Sequence, residues 1–188
     1  MSNTPTDSTL DIRLLAALPR QRHGKPRLDE EITELFERWR AALLRYLFTF
    51  GLPPHDAEEI VQEVFLSLFS HLRQGKARTN LRGWLFRVAH NLALKRRDAE
   101  RKTNGTAADV DNLPHPALNP EESLASSQRQ RLLSAILHAL PEQDRRCLYL
   151  RAEGLRYREI GEVLGMSLGS VSTSLARSLA RFRRAEQR

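Results

Sequence analysis

Apolar residues recur at intervals of three and four along most of the chain, which is the spacing of amphipathic helices. The predicted helices cover residues 28–50, 56–72, 81–102, 123–140 and 141–153, followed by two more within 157–184. No segment alternates between apolar and polar residues as a half-buried strand does. The sequence therefore predicts an all-α protein.

The pattern in residues 157–184 is that of two short helices joined by a tight turn. Ile160 and Leu164 share one face, Gly165 stands where a left-handed residue ends a helix, and Ser167 is a suitable N-cap for the next. This spacing predicts a helix-turn-helix, whose second helix enters the DNA major groove; the alternative is an αα-hairpin in an ordinary bundle. DNA is favoured because the outward positions carry no acid. They are Ser170, Ser172, Thr173, Arg177 and Arg181, beside Ser167.

The helix predicted at 56–72 has a continuous apolar stripe and an acidic opposite face. We expect Asp56 to cap it, with Glu59 as the capping-box partner. Early acids also suit the helix dipole, which is the simpler interpretation of this face. The same face nevertheless forms an exposed ridge with the spacing of a helix-docking surface. The ridge consists of Glu59, Gln62, Glu63 and Leu66.

The helix predicted at 81–102 is strongly basic. It has seven basic side chains against two acidic ones, and Trp84 lies near its start. Such a helix can hold phosphates and stack on unpaired bases. The alternative is that Trp84 belongs to the core and the arginines only solubilise the helix, but the charge density favours nucleic acid.

Composition narrows the function classes further. The net charge of +7 favours a polyanionic partner. Cys147 is the only cysteine and the six histidines lack metal-ligand spacing, so we expect no metal and no cofactor. No catalytic motif is present, and we expect the chain not to be an enzyme. Without a signal peptide or a long apolar run, we expect it in the cytoplasm.

Three segments together resemble a known family: DAEEIVQEVFLSLF, LRGWLFRVAHNLALKRR and LPEQDRRCLYLRAEGLRYREIGEVLGMSLGSV. In this order they are similar to the extracytoplasmic-function group of bacterial sigma-70-type sigma factors. The resemblance implies a region 2-like domain at 28–102 and a region 4-like helix-turn-helix domain at 123–188. Residues 103–122, rich in proline, would form a flexible linker, and residues 1–27 a flexible tail.

The resemblance also implies partners and sites. Core RNA polymerase would bind the ridge with its neighbouring acid, that is Asp56, Glu59, Gln62, Glu63 and Leu66. The −10 promoter element would be recognised and opened by Asn80, Arg82, Trp84, Arg87, Asn91, Lys95 and Arg96. The helix-turn-helix would read the −35 element, and an anti-sigma factor is a further implied partner.

One departure from the family pattern concerns the recognition helix. Sigma factors of this group usually carry basic residues at the positions of Ser172, Ser174 and Leu179. Serines anchor phosphates weakly, so adding charge at Ser172 and Ser174 is expected to raise DNA affinity. Two alternatives to a sigma factor stay open: a helix-turn-helix regulator, or a degenerate sigma-like protein that binds polymerase or an anti-sigma factor without directing initiation.

Overall fold

The computed structural model describes residues 28–104 and 133–186, and within them it contains helices and turns but no strand. The helices are α1 (Leu28–Phe48), α2 (Pro54–Arg73), α3 (Leu81–Asn104), α4 (Glu142–Ala152), α5 (Tyr157–Leu164) and α6 (Leu168–Glu186). Residues 133–138 form a further helical segment before α4. The all-α prediction is confirmed. The predicted tail, and the linker beyond its first two residues, lie outside the described part.

Helices α1, α2 and α3 enclose the core of the N-terminal half. Tyr46 and Phe86 lie at its centre, where their rings meet edge to face with centroids 5.5 Å apart. The apolar stripe predicted for α2 faces inward, and Ile60, Val64 and Leu68 are buried. The periodic pattern of the sequence therefore identified the inner faces correctly.

The start of α2 differs from the prediction. The helix begins at Pro54 with Pro53 as N-cap, which offers no side-chain hydrogen bond. Proline suits the first helical position, because its φ is preset and its missing N–H would have no intrahelical partner there. The predicted capping box of Asp56 and Glu59 is therefore wrong: both residues lie inside the helix, and both accept hydrogen bonds from Arg96 of α3.

Helices α5 and α6 form the predicted helix-turn-helix. Gly165 ends α5 in the left-handed region, with φ of 66°. Ser167 Oγ then accepts the N–H of Ser170 at 3.2 Å, as an N-cap does. Gly161 is required for another reason: a Cβ there would lie 2.7 Å from the carbonyl oxygen of Met166 in the turn. Val171 fills the angle between the helices and is fully buried.

The two halves of the described chain pack against each other. Helix α5 lies against α3, and Leu155 and Ile160 are fully buried in a core that is continuous with that of the N-terminal half. Glu142 at the start of α4 accepts hydrogen bonds from Arg97 of α3 at 2.8 Å and from Arg146 at 2.7 Å. The division into domains at 28–102 and 123–188 stays a prediction, but in this arrangement the two share an interface.

Arg146 lies at the centre of that interface. Its guanidinium carbon is 4.0 Å from the centroid of the Phe50 ring, and its side chain is 9% exposed. Nearby, the Tyr46 hydroxyl and His90 Nδ1 form a buried hydrogen bond of 2.8 Å. Burial, together with the positive charges of Arg146 and Arg97, lowers the pKa of His90 to about 4. His90 is therefore neutral in the folded protein at pH 7.

The lowered pKa of His90 makes the stability of the folded chain depend on pH. Its ordinary value is 6.5, so as the pH falls through 6.5 towards 4 the unfolded chain binds a proton that the folded chain does not. Folded stability is then expected to fall by about 2 kcal/mol between pH 7 and pH 5. Urea unfolding at both pH values measures this loss. His90→Gln keeps an acceptor for Tyr46 but does not titrate, so it should lose less; an equal loss would contradict the assignment.

Candidate nucleic-acid and polymerase interfaces

Four of the seven residues predicted to act at the −10 element lie together on α3. Trp84, Arg87, Asn91 and Lys95 follow each other at intervals of three and four, which places them on one face. Arg87, Asn91 and Lys95 are exposed, and Trp84 is half-buried. The face carries two basic side chains, Arg87 and Lys95, which are suited to contact with phosphates.

Trp84 has surroundings that are compatible with both of the roles that the sequence left as alternatives. One side of its ring packs against the core, and the ring lies 4.9 Å from that of His71 at the end of α2. Its other side lines an open pocket of about 380 Å³ between α2 and α3. The remaining lining residues are Glu63, Leu66, Ser67, Ser70, His71, Gln74 and Lys76. An aromatic ring held by the core beside an open pocket is suited to stacking on an unpaired base.

Asn80 has a structural role at the start of α3. It adopts a left-handed backbone with φ of 55°, and its side-chain Oδ1 accepts the N–H of Gly83 at 3.1 Å. A Cβ on Gly83 would lie 2.6 Å from Asn80 Nδ2, so glycine leaves room for this cap. Asn80 is exposed and adjoins the basic face of α3, but its side-chain oxygen is already engaged in the hydrogen bond that caps the helix.

Arg82 and Arg96 lie away from the basic face of α3. Arg82 is directed to the other half of the chain, where its Nη1 donates to the Glu153 carbonyl at 3.4 Å. Arg96 is directed to α2, where it donates to Asp56 at 2.6 Å and to Glu59 at 2.8 Å. The predicted −10 set is thus split, because positions 82 and 96 are turned by about 100° or more around the helix from each of the four residues on the basic face.

The acidic ridge of α2 is exposed as predicted. Glu59, Gln62, Glu63 and Leu66 are all open to solvent, and Leu66 is 69% exposed. Asp56 is half-buried and lies beside the ridge, not on it. The hydrogen bond from Arg96 lowers the pKa of the Glu59 carboxyl and raises that of Arg96. No described residue pairs with Glu63 in this way, so the negative charge of the ridge is least compensated there.

All six residues predicted for −35 recognition are exposed. They are Ser167, Ser170, Ser172, Thr173, Arg177 and Arg181. Both arginines have partners within the chain: Arg177 donates to Asp144 at 2.9 Å and Arg181 to the Ala139 carbonyl at 2.7 Å. Arg177 also lines an open groove of about 520 Å³ with Ser167, Ser170 and Thr173. Hydroxyl groups and one tethered arginine therefore form this part of the surface.

Ser174 is not on the exposed face, so the structure does not support it as a position where added charge would reach DNA. Ser174 and Ser178 are fully buried against α4, and the Ser174 hydroxyl donates to Asp144 at 2.7 Å. Ser172 and Ser174 differ by two residues, which is about 200° around a helix, so they cannot both face DNA. Ser172 remains suitable for added charge.

Sequence reasoning also missed Asp144, Glu142 and Arg146. Each contacts a residue at least 30 positions away or belongs to a cluster that does. In the sequence, Glu142 and Asp144 follow Pro141 and resemble ordinary first-turn acids that suit the helix dipole. Within residues 28–104 and 133–186, no group of side chains could hold a metal ion, and no helix there is long and apolar enough to cross a membrane.

Two family models match the chain, one in each half of the described structure. Residues 35–103 match sigma-70 region 2, and residues 130–182 match sigma-70, region 4. The ECF RNA polymerase sigma factor ShbA of Streptomyces griseus subsp. griseus is 35% identical over 135 residues, which make up 69% of this chain and 71% of ShbA. The chain belongs to the extracytoplasmic-function group of sigma factors. The predicted family is confirmed.

Other relatives agree with this family. The sigma factor is 32% identical to the ECF RNA polymerase sigma factor SigE of Mycolicibacterium smegmatis over 153 residues, which cover 80% of this chain and 59% of SigE. It is 27% identical to the RNA polymerase sigma factor YlaC of Bacillus subtilis, covering 79% of this chain and 88% of YlaC.

Two solved structures resemble the fold of the sigma factor. One contains the sigma factor RpoE from Bartonella quintana with the anti-sigma factor NepR, at a TM-score of 0.63 and 18% identity, and covers 84% of this chain and 97% of that one. The other contains CnrH with the cytosolic domain of CnrY, at a TM-score of 0.54 and 24% identity, covering 83% and 87%.

The different surroundings of Ser172 and Ser174 allow a matched test. Ser174→Arg forces a long charged side chain into a filled position, and we expect it to destabilise the fold by about 1–3 kcal/mol or more. Ser172→Arg adds the same group at an exposed site and should change stability by less than about 0.5 kcal/mol. Thermal unfolding followed by circular dichroism measures both. Similar midpoints for the two variants would place Ser174 on the surface.

Proposed function

We propose that the sigma factor binds core RNA polymerase through α2, opens the −10 element with α3 and reads the −35 element with α6. The observation that carries this proposal is the pairing of two different exposed surfaces that meet at the pocket beside Trp84: the ridge of α2, which is acidic and apolar, and the face of α3 with Trp84, Arg87, Asn91 and Lys95. A simple DNA-binding regulator has no need for both. Phosphodiester bond formation would belong to polymerase, and the sigma factor would have no catalytic activity and act in the cytoplasm.

The ridge of α2 has the composition of a docking site for a basic partner. Leu66 presents a large apolar side chain to solvent, and such side chains often anchor protein interfaces. Glu63 beside it has no pairing partner among the described residues, so its charge is available to a lysine or arginine of polymerase. Glu59 is shared with Arg96 and would contribute less charge to the partner.

The α3 surface is suited to opened DNA. Arg87 and Lys95 would hold the backbone phosphates of a single strand, and the pocket beside Trp84 would accept a base that has left the duplex. Arg96 has its charge compensated by α2, and we assign it no direct contact with DNA in this arrangement.

Contact with both promoter elements requires the two halves to separate. The elements are about 25 base pairs apart, which is about 85 Å of duplex. Helix α3 has 24 residues and is about 36 Å long, and α5 packs directly against it. We therefore propose that the packed arrangement is that of the sigma factor before it binds polymerase. An anti-sigma protein is a further proposed partner, since the similar RpoE was solved with one.

A second candidate is a degenerate sigma that binds polymerase without directing initiation. The observation that favours it is the recognition helix, where residues 167–176 include no lysine or arginine. Run-off transcription with purified core polymerase on genomic fragments separates the two candidates. Discrete transcripts that depend on the sigma factor support the first, and polymerase binding without transcripts supports the second.

Charge reversal on the ridge tests the polymerase interface. Glu63→Lys places a like charge opposite the proposed basic partner, and we expect affinity for core polymerase to fall at least about tenfold. Glu37→Lys makes the same change at an exposed acid of α1 and serves as the matched control. Pull-down with core polymerase measures binding, and circular dichroism checks that both variants are folded. Equal binding by both would refute the docking assignment.

Loss of charge from α3 tests its role in strand opening. Replacing Arg87 and Lys95 with alanine should reduce open complexes roughly tenfold, because charge-assisted contacts to phosphates are lost. Permanganate reactivity of thymines near −10, on a promoter found by run-off transcription, reports this opening. Arg38→Ala removes an exposed charge from α1 and should leave reactivity unchanged. Unchanged reactivity in the double variant would exclude this face from strand opening.

A further inference from the structure

The buried carboxylate of Asp144 stands out among the contacts that recognition of DNA does not by itself require. Asp144 lies on α4, one helix before the helix-turn-helix, and its side chain is 4% exposed. Its Oδ1 accepts one hydrogen bond from the Ser174 hydroxyl at 2.7 Å and another from Arg177 Nη2 at 2.9 Å. Both donors belong to α6. One carboxylate therefore links the recognition helix to the scaffold behind it.

The two donors differ in their surroundings. Ser174 is fully buried, so its bond with Asp144 fixes how α6 is rotated against α4. Arg177 is the opposite case: its side chain is 64% exposed while one of its nitrogens is held. A guanidinium has five N–H groups, and the bond to Asp144 occupies one, so others can still reach a phosphate. Arg177 also lines the groove that contains Ser167, Ser170 and Thr173.

The position of Arg177 is important because no other basic residue precedes it on this helix. The ten residues from 167 to 176 carry hydroxyl and apolar side chains only, apart from glycine. The first charged phosphate contact along α6 therefore depends on Arg177, and a contact of that kind sets the register in which the hydroxyl groups meet the bases.

We infer that Asp144 is a positioning residue for −35 recognition: it holds Arg177 at the edge of the groove, so that a phosphate contact brings the Ser170 and Thr173 region into one register on the duplex. The inference rests on the proposed function of α6. By this inference, a buried carboxylate that makes no contact with DNA contributes to the choice of −35 sequence.

Asp144 has two opposite effects on DNA affinity. One applies to a duplex of any sequence, and the other applies only to the correct −35 sequence. The negative charge of Asp144 weakens attraction of any duplex, so Asp144→Asn should leave binding to an arbitrary sequence unchanged or slightly stronger. Because Asp144 already holds Arg177 in place, the entropic cost of ordering this long side chain is avoided when the correct complex forms, and only then. Asp144→Asn should therefore lower the ratio of the affinity for the correct −35 sequence to that for a scrambled one by about three- to tenfold.

The experiment uses holoenzyme assembled from the full chain and core polymerase. Its probes are a promoter found by run-off transcription and the same duplex with the −35 element scrambled, titrated at several salt concentrations. We expect Arg177→Ala to lower the salt slope by about one and to weaken binding to both probes, more strongly to the promoter with the intact −35 element than to the scrambled one. Asp144→Asn should reduce the ratio of the two affinities, and in the Arg177→Ala background it should have no further effect.

Controls separate positioning from folding. Glu162→Gln removes an acid that pairs with Arg158 elsewhere in the helix-turn-helix, and it should leave the ratio unchanged. Arg177→Lys keeps the charge but loses the fork that can bridge Asp144 and a phosphate, so it should reproduce the narrowed ratio if Asp144→Asn does not fold.

The outcomes are distinguishable. If Arg177→Ala weakens binding while Asp144→Asn and Arg177→Lys leave the ratio unchanged, the positioning role is wrong and −35 recognition by α6 stands. If scrambling the −35 element has no effect and no variant alters binding, the proposed function of α6 is wrong, and the inference falls with it.

Discussion

The contact between the two halves takes arginine side chains out of water, beside the apolar core that the halves share. Arg146 is almost fully buried against Phe50 and shares Glu142 with Arg97. Such burial is costly unless every N–H is paired, and the Nε atoms of Arg97 and Arg146 find no hydrogen-bond partner among the described residues. Burial lowers the pKa of Arg146 for the same reason. This interface holds the halves together. Separation would return the arginine charges to water, and their hydration would offset part of the free energy lost when the contact opens.

Helical geometry distributes the arginines of α3 among three tasks. Arg82 and Arg97 are used in contacts with the C-terminal half, Arg96 compensates the acids of α2, and Arg87 remains on the open face. In this packed arrangement a count of basic residues overstates the charge that DNA would meet, because Arg82, Arg96 and Arg97 are held by other parts of the chain. The same holds in α6, where Arg177 and Arg181 are bonded within the chain. The number of arginines and lysines free to meet DNA is therefore smaller than the total of 30 in the sequence suggests.

Local signals in the sequence were sufficient for most of the fold. Periodicity located the helices, and Gly165 with Ser167 located the turn, because these depend on residues a few positions apart. The capping role given to Asp56 failed because two prolines preceding it already start the helix. The helical period places Ser172 and Ser174 on opposite sides of α6, whereas the resemblance to the family gives both positions a basic residue. The hydrogen bonds that Arg97 donates to Glu142 and Arg177 donates to Asp144 join distant helices, so no periodicity in the sequence indicates them.

A recognition helix with so little free charge can still act if its encounter with DNA is intramolecular. Sequence-independent affinity for duplex comes mainly from phosphate contacts, and α6 offers few. Once α2 is docked on polymerase and α3 on the opened −10 strand, however, α6 would be held near the duplex upstream. Tethering raises its effective concentration, which compensates for weak intrinsic affinity without any new contact. The same weakness would keep the free protein from binding DNA before it finds polymerase. Hydroxyl groups and one positioned arginine are then sufficient, because they need only to choose the register and not to supply the affinity.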